Sequence, residues 1–195
     1  MNLKISIWCL VIVVVLCFTG TILAHDPVAL NIGDSAPDII LNDQDGDLWK
    51  LKDHLGKKNI VVYFYPAAMT GGCTKQACSY RDARDDLQGL DIVVVGISGD
   101  AVNNLKVFQH AHQLNFNLLS DASAETAKNF GVPHKEGGTI SRTIEGEEIT
   151  LETSYRVSRW TFIIDKKGKI VYKNTEVNAE EDSKNIIEFL KNKGR

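Results

Sequence analysis

The chain has 195 residues, of which 44% are hydrophobic, and this length and composition suit one domain of ordinary size with a normal buried core. Its formal net charge is −3, and its acidic and basic residues are interspersed without a basic cluster. The chain therefore lacks the electrostatic footprint of a nucleic-acid-binding protein, and we expect no nucleic-acid partner.

The first 24 residues form a segment of a different kind. A short positive start, Met1 to Lys4, precedes an almost continuously apolar stretch from Ile5 to Ala24. This pattern is typical of an export signal or a membrane anchor. Ile22-Leu23-Ala24 is a tolerable cleavage site, whereas 20 mainly apolar residues also suffice to span a bilayer, so both outcomes stay open. Either way, we expect a periplasmic or other extracytoplasmic protein, attached to the membrane if the segment is retained.

Two of the four cysteines, Cys9 and Cys17, fall inside that segment. A lipid anchor on Cys17 is disfavoured, because a leucine rather than a small residue precedes it. Without the segment only Cys73 and Cys78 remain, in a compartment where disulfides form readily. Because they are the two cysteines that remain, they are candidates for a redox-active pair.

After a linker at residues 25–31, the predicted elements alternate between strands and helices. We predict a hairpin of strands at 38–41 and 48–51, then strand 60–65, helix 72–87, strand 92–98, helix 101–112, strand 117–119 and helix 123–130. Strands 160–164 and 169–173 and a final helix beginning at Asn178 as N-cap complete the pattern. This order predicts an α/β domain over residues 32–195, with a central mixed sheet flanked by helices.

One segment departs from the alternation. From Gly137 to Ser154, polar and apolar residues alternate on both sides of a turn signal at Glu145-Gly146. This pattern predicts an exposed hairpin inserted before the last core strands. The sequence assigns it no function.

The strongest functional signal runs from Asn59 to Asp82. An apolar strand ends at Pro66, and Thr70, two glycines and Cys73 follow at the start of a helix. Unpaired backbone N–H groups and the helix dipole favour an anion at that position, so we expect a reactive thiolate. The alternative is an inert, buried structural cysteine.

The spacing of the two cysteines constrains what they can do together. Along an intact helix, the five residues from Cys73 to Cys78 turn the chain by about 500° and rise about 7.5 Å. Side chains so placed do not face each other and cannot form a disulfide. The spacing indicates sequential chemistry, in which Cys73 attacks and the helix then unwinds so that Cys78 can reach it. Cys78 as an ordinary small helix residue is the alternative.

Thr70 and Pro66, which both precede Cys73, also have a chemical interpretation. Thr70 places a hydroxyl where it could hydrogen-bond both the thiolate and an incoming oxygen. Pro66 lacks an N–H, fixes its φ angle and can shield the thiol from water. Taken singly, Thr70 is also a plain N-cap and Pro66 a plain strand terminator.

The arrangement Pro66-x-x-x-Thr70-x-x-Cys73 resembles the active-site signature of the peroxiredoxins. The run from Cys73 to Asp82, CTKQACSYRD, is similar to the bacterioferritin-comigratory-protein, or PrxQ, subgroup. The resemblance covers about residues 32–193 and implies a thioredoxin-like fold with an added N-terminal hairpin. It also implies that Cys73 is the peroxidatic cysteine and Cys78 the resolving one. Arg159 matches the arginine that stabilises the thiolate and the peroxide oxygens.

The same resemblance implies a thiol-dependent peroxidase that reduces hydrogen peroxide and organic hydroperoxides. A Cys73–Cys78 disulfide would be recycled by thioredoxin or a similar dithiol, with no metal, haem or flavin, in a monomer or weak dimer. The sequence departs from the subgroup at Gly71, where many members carry proline, which predicts a looser active-site loop. Arg156 lies close enough to Arg159 in sequence to be confused with it.

Two other functions compete with this interpretation. A protein thiol-disulfide oxidoreductase would be expected to carry a Cys-x-x-Cys pair, which the sequence lacks. A membrane-tethered, thioredoxin-like copper chaperone would hold the metal with both cysteines and a histidine, for which His134 is the candidate.

Overall fold

The computed structural model describes residues 30–144 and 146–193; the predicted leader, residues 1–24, and most of the predicted linker lie outside them. Within the described ranges, no helix is long and apolar enough to cross a membrane. In chain order the elements are β1 (Ile40–Asp43), β2 (Leu48–Lys50), β3 (Asn59–Phe64), α1 (Gly71–Asp82), α2 (Arg84–Gly89), β4 (Ile92–Ser98), α3 (Val102–His112), β5 (Asn117–Ser120), α4 (Glu125–Asn129), β6 (His134–Ile144), β7 (Glu147–Val157), β8 (Trp160–Ile164), β9 (Ile170–Asn174) and α5 (Asp182–Lys193).

Seven strands form one mixed sheet in the order β2-β1-β5-β4-β3-β8-β9. The central strands β3, β4 and β5 are parallel, whereas β8 pairs with β3, and β1 with β5, in antiparallel fashion. The predicted mixed sheet and the N-terminal hairpin of β1 and β2 are confirmed. Because β3 lies inside the sheet, the chain that leaves its carboxyl end is surrounded by other elements.

The alternation of side chains along β3 divides the core into two clusters, one on each face of the sheet. Every residue of β3 after Asn59 is fully buried, as expected for a central strand covered on both faces. One face contributes Ile60, Val62 and Phe64 to the first cluster. The other contributes Val61 and Tyr63 to the second cluster, which also contains Cys73, Ala77 and Tyr80 of α1.

The predicted helix over residues 72–87 is two helices. α1 ends at Asp82 and α2 begins at Arg84, with Ala83 between them at φ −85° and ψ 10°. Asp85 and Asp86 then lie in the first turn of α2, where carboxylates are favoured by the helix dipole.

The prediction that the last helix begins at Asn178 is wrong, since α5 begins at Asp182. The side chain of Asn178 accepts a hydrogen bond from the backbone N–H of Glu180, and its carbonyl accepts one from Glu181. These bonds form a turn that competes with helix. The first helical bond runs from Asn185 to Glu181.

The predicted insert is a two-stranded antiparallel sheet, β6 and β7, and is longer than predicted at both ends. Its base is not exposed: Leu151, Thr153 and Val157 are buried. The backbone N–H of Ser154 donates to the carbonyl of Gly99 at 3.0 Å. The hairpin is therefore attached to the loop that follows β4.

Candidate active site

Cys73 lies in the first turn of α1, three residues after Thr70, where the extended backbone of the preceding loop enters the helix. It is a free thiol, only 1% exposed, and packs in the second core cluster. The N–H groups of this first turn have no partners inside the helix, so they and the helix dipole favour a negative charge here. The thiol is thus shielded from bulk water at the positive end of a helix.

Arg159 donates a hydrogen bond from Nη2 to Sγ of Cys73 at 3.3 Å. It immediately precedes β8, whose pairing with β3 places Trp160 opposite Phe64. This register brings Arg159 to the loop that leaves β3. Gly72 leaves room for the guanidinium, since a Cβ there would lie 3.3 Å from Nη2. The tertiary structure therefore places a fixed cation against the thiol.

The orientation of that guanidinium is held by Gln76 and Asp182. Nη1 of Arg159 donates to Oε1 of Gln76 at 2.5 Å, and Nε2 of Gln76 donates to Oδ2 of Asp182 at 2.7 Å. An amide has one donating and one accepting end, so Asp182 fixes the orientation that presents the oxygen of Gln76 to Arg159. Asp182 is therefore linked to Cys73 through Gln76 and Arg159.

Asp182 is buried in the contact between α5, α1 and β8. Its Oδ2 also accepts hydrogen bonds from the hydroxyls of Tyr80, at 2.7 Å, and Thr161, at 2.8 Å. Its Oδ1 has no partner within the described part of the chain. Burial raises the pKa of the Asp182 carboxyl, and the hydrogen bonds from Tyr80, Gln76 and Thr161 oppose that rise.

The loop between β3 and α1 is held by Asp100. The carboxylate of Asp100 accepts hydrogen bonds from the backbone N–H of Ala68 at 2.7 Å, from Ser98 at 2.7 Å and from Thr153 of β7. Asp100 is 1% exposed, and burial raises its pKa against the effect of these three bonds. The inserted hairpin thus shares a buried carboxylate with the loop that carries Thr70.

Pro66 and Thr70 occupy the two ends of that loop. The hydroxyl of Thr70 donates to the carbonyl of Ala67 at 2.9 Å, and so its proton is directed into the loop rather than at Cys73. The lone pairs of the hydroxyl stay available to accept a hydrogen bond. Pro66 follows β3 after one intervening residue and lines a surface cleft next to the hairpin base.

The inserted hairpin also contacts the loop from outside. Arg142 of β6 donates from Nε to the carbonyl of Met69 at 2.9 Å, and from Nη1 to the carbonyl of Ser141 at 2.8 Å. Met69 has a φ of +58°, a conformation uncommon for residues other than glycine. Arg142 therefore holds in place a strained residue directly before Thr70.

Cys78 lies in the same continuous helix as Cys73, is half-buried, and is also a free thiol. Cys73, Ala77 and Tyr80 face the core, as the helical spacing predicts. Because the helix is unbroken between them, the two thiols are on different faces and separated by about 7.5 Å of helical rise. A bond between them requires the helix to unwind.

Metal-binding arrangements are absent from the described residues, which contain no group of three or more metal-ligating side chains. His134, the candidate third ligand of a copper site, packs edge-on against Tyr155 with ring centroids 5.9 Å apart and lines the cleft at Pro66. The two cysteines and His134 therefore do not form a ligand set in this structure.

Sequence reasoning missed four residues of this arrangement: Gln76, Asp100, Arg142 and Asp182. Gln76 carried a usable signal, because it shares the buried face of α1 with Cys73 and an amide there requires partners. The other three give no local signal, since each contacts the site across more than 30 positions of sequence.

Comparison with known proteins places the chain among related sequences. A family model described as the AhpC/TSA family matches residues 32–173. The chain is 37% identical to peroxiredoxin Bcp of Escherichia coli over 162 residues, which cover 83% of this chain and 96% of that protein. It is 38% identical to chloroplastic peroxiredoxin Q of Populus jackii over 164 residues, 83% of this chain and 67% of that one. The crystal structure of peroxidoxin BcpB from Mycobacterium tuberculosis is similar with a TM-score of 0.68 and 33% identity, covering 83% and 96% of the two chains.

Proposed function

We propose that Cys73 is the peroxidatic cysteine of this chain, which belongs to the AhpC/TSA family, in its Bcp/PrxQ peroxiredoxin group. The chain is a thiol-dependent peroxidase with a thioredoxin-like fold. The observation that carries the assignment is the 3.3 Å contact between Nη2 of Arg159 and Sγ of Cys73 at the start of α1. The family membership favours this activity over a copper chaperone or a protein thiol-disulfide oxidoreductase.

In the first step, the Cys73 thiolate attacks the terminal oxygen of a peroxide. The S–O bond forms as the O–O bond breaks, sulfur is oxidised to a sulfenic acid, and the departing oxygen takes a proton to leave as water or an alcohol. Arg159 and the first-turn N–H groups of α1 stabilise the charge as it moves between the oxygens. The Thr70 hydroxyl donates its own hydrogen bond to the Ala67 carbonyl, and its oxygen accepts one from the peroxide O–H.

In the second step, the Cys78 sulfur attacks the sulfenic sulfur of Cys73 and releases water, giving a disulfide. The intact α1 keeps the thiols apart, so its first turns must unwind. Gln76 lies between the two cysteines and Tyr80 just beyond them, and both donate to Asp182. Unwinding through Cys78 breaks at least the bond from Gln76, which links the resolving step to release of α1 from α5.

A dithiol protein of the thioredoxin type is the reductant that we propose, since the family implies one. Attack of one of its thiols on the Cys73–Cys78 disulfide, followed by exchange, returns both cysteines to the thiol form. The subgroup resemblance also supports a monomer or weak dimer.

We place this chemistry outside the cytoplasm. The support is the apolar stretch from Ile5 to Ala24 behind a positive start, which is typical of an export signal or anchor. Fractionation of cells, with the N-terminal residue of the recovered protein determined, tests both export and cleavage; full-length protein in the cytoplasm contradicts the proposal.

Cys78→Ser tests the two-cysteine mechanism. Reduced wild-type protein mixed with one equivalent of hydrogen peroxide is expected to lose the mass of two hydrogen atoms and to yield a Cys73–Cys78 disulfide peptide. The Cys78→Ser variant is expected to form oxidised Cys73 at an unchanged rate, trapped by a sulfenic-acid reagent, without an intramolecular disulfide. An unchanged disulfide yield by mass spectrometry in that variant contradicts the resolving role.

Arg142→Ala tests whether the inserted hairpin supports the active-site loop. Loss of the bond to the Met69 carbonyl frees a loop that already lacks proline at position 71, so oxidation of Cys73 by hydrogen peroxide is expected to slow about tenfold. Thr143→Ala is the matched control, because its exposed side chain projects from the opposite face of the strand. Equal rates for the two variants in stopped-flow mixing contradict the role.

A further inference from the structure

A positively charged cleft lies directly beside the proposed peroxidatic centre. Its volume is about 480 Å³, and it lies between Pro66 and the base of the inserted hairpin, where His134, Lys135, Arg156 and Ser158 line it. We call it the cationic cleft. The apolar residues Pro133 and Val157 also line it. The lining therefore suits a ligand with an apolar body and an anionic end.

The two strongest cations of the cleft are held in an unfavourable arrangement. Lys135 and Arg156 are directly opposite each other on β6 and β7, where like charges destabilise a hairpin. Within residues 30–144 and 146–193, neither forms an ion pair. Glu136 follows Lys135 in sequence but, because strand side chains alternate, points to the opposite face of the hairpin.

Arg156 has an unused donor. Its Nε is buried and has no hydrogen-bond partner within the described part of the chain. The carboxylate that Arg156 attracts electrostatically is Asp100, whose oxygens are already bonded to Ala68, Ser98 and Thr153. The buried Nε is out of reach of a ligand in the cleft, but the residue is half-exposed and makes no side-chain hydrogen bond within the described part of the chain, so its outer N–H groups are available to a carboxylate.

The cleft lies close to the reacting thiol along the chain. Pro66 lines the cleft and lies near the start of the loop that leads to Cys73. Arg156 precedes Arg159 by three residues, which span at most about 11 Å of extended chain. Arg159 in turn contacts Sγ of Cys73. The cleft therefore lies beside both the loop that leads to the thiol and the arginine that contacts it.

We propose that the cationic cleft binds the carboxylate of an organic hydroperoxide while its –OOH group reaches Cys73. The proposal rests on the peroxidatic role of Cys73. The carboxylate takes no part in bond exchange; the thiolate still displaces an alkoxide from the O–O bond, and that alkoxide leaves as the alcohol after taking a proton. The cleft therefore acts on substrate choice rather than on the chemical step.

A matched pair of substrates isolates the effect of the substrate's carboxylate charge on the rate. We compare cumene hydroperoxide carrying a para-carboxylate with the methyl ester of the same compound, using hydrogen peroxide as a third substrate that has no body to bind. The second-order rate constant for oxidation of Cys73 is measured by stopped-flow mixing with the full-length protein. Wild type is expected to prefer the carboxylate, and the preference is expected to fall as salt is raised.

The variants are Arg156→Gln, Lys135→Gln and the double variant, with Lys167→Gln as a control. Lys167 is an exposed lysine in the turn at the far end of β8, so its replacement changes net charge equally. Arg156→Gln is expected to slow the carboxylate about tenfold, and Lys135→Gln less, with the ester and hydrogen peroxide unchanged. Because Lys135 is exposed, its variant tests the cleft even if Arg156→Gln fails to fold.

The outcomes separate this proposal from the function on which it rests. Failure of hydrogen peroxide to oxidise Cys73 overturns the peroxidatic role. Normal hydrogen peroxide reduction, with the carboxylate and ester equally fast in every protein, overturns the cleft alone. A variant that leaves both organic substrates unchanged but slows reduction of the disulfide by a thioredoxin-type dithiol assigns the cleft to the reductant, which also overturns the proposal.

Discussion

Replacing Cys73 with serine is expected to abolish peroxide reduction, with a loss of about 10⁴-fold or more in the second-order rate constant. A serine hydroxyl keeps the size and hydrogen-bonding capacity of the site but is almost un-ionised at neutral pH and far less nucleophilic than a thiolate. The remaining donors, Arg159 and the first turn of α1, then have no attacking atom to assist. Stopped-flow consumption of hydrogen peroxide by the reduced variant measures the effect.

Cys78→Ser is the matched control for this prediction, because it makes the same chemical change five residues away. It is expected to consume one equivalent of peroxide as fast as the wild type. A Cys73→Ser variant that consumes peroxide at the parent rate shows that another group is the nucleophile. If both single variants are slow, the first step depends on both cysteines, which contradicts the sequential mechanism.

Replacing Arg159 with methionine is expected to slow oxidation of Cys73 by about 10²- to 10³-fold, the usual effect of removing one oriented donor from the charge that develops in a reaction. The side chain supplies the hydrogen bond to Sγ and, through Nη1, the contact with Gln76. Methionine keeps much of the buried volume without the charge. The rate constant for the first step is the quantity to measure, because that is the step in which Arg159 stabilises the moving charge.

Arg159→Lys provides a graded comparison. A lysine keeps the positive charge but cannot donate in the fixed two-pronged geometry that reaches both Cys73 and Gln76. Its rate is expected to lie between those of wild type and Arg159→Met. Arg156→Gln is expected to reduce hydrogen peroxide normally, so an effect of Arg156 replacement with none at Arg159 would reverse the assignment. The thiol of Arg159→Met should still be titratable by an alkylating reagent.

Local patterns in the sequence predicted the elements well wherever one residue type dominates a short window. The apolar run of β3, followed by proline and glycines, predicted a strand that ends at the start of a helix, and α1 begins there. The helical spacing also predicted that Cys73 and Cys78 do not face each other, and in the structure Cys73 is buried while Cys78 is half-buried. These predictions hold because strand alternation and helical period are properties of neighbouring residues.

Helix ends were less predictable. The charges around Asn178 suit a helix start, yet the asparagine side chain forms a turn and α5 begins four residues later. Burial of Asp182 against Tyr80 and Thr161 contributes to that start, and those partners are on α1 and β8. A helix boundary that depends on contacts with other elements is not encoded in its own window.

The sequence by itself determined the order of strands and helices, the position of Cys73 at a helix start and the separation of the two thiols. Only the tertiary structure decided which arginine contacts the thiol. Arg156 and Arg159 are three residues apart, but the pairing of β8 with β3 brings Arg159 to Sγ, whereas Arg156 lies on the hairpin beside the cationic cleft. Chain neighbours fix which face a side chain takes, while strand order and register fix what it meets there.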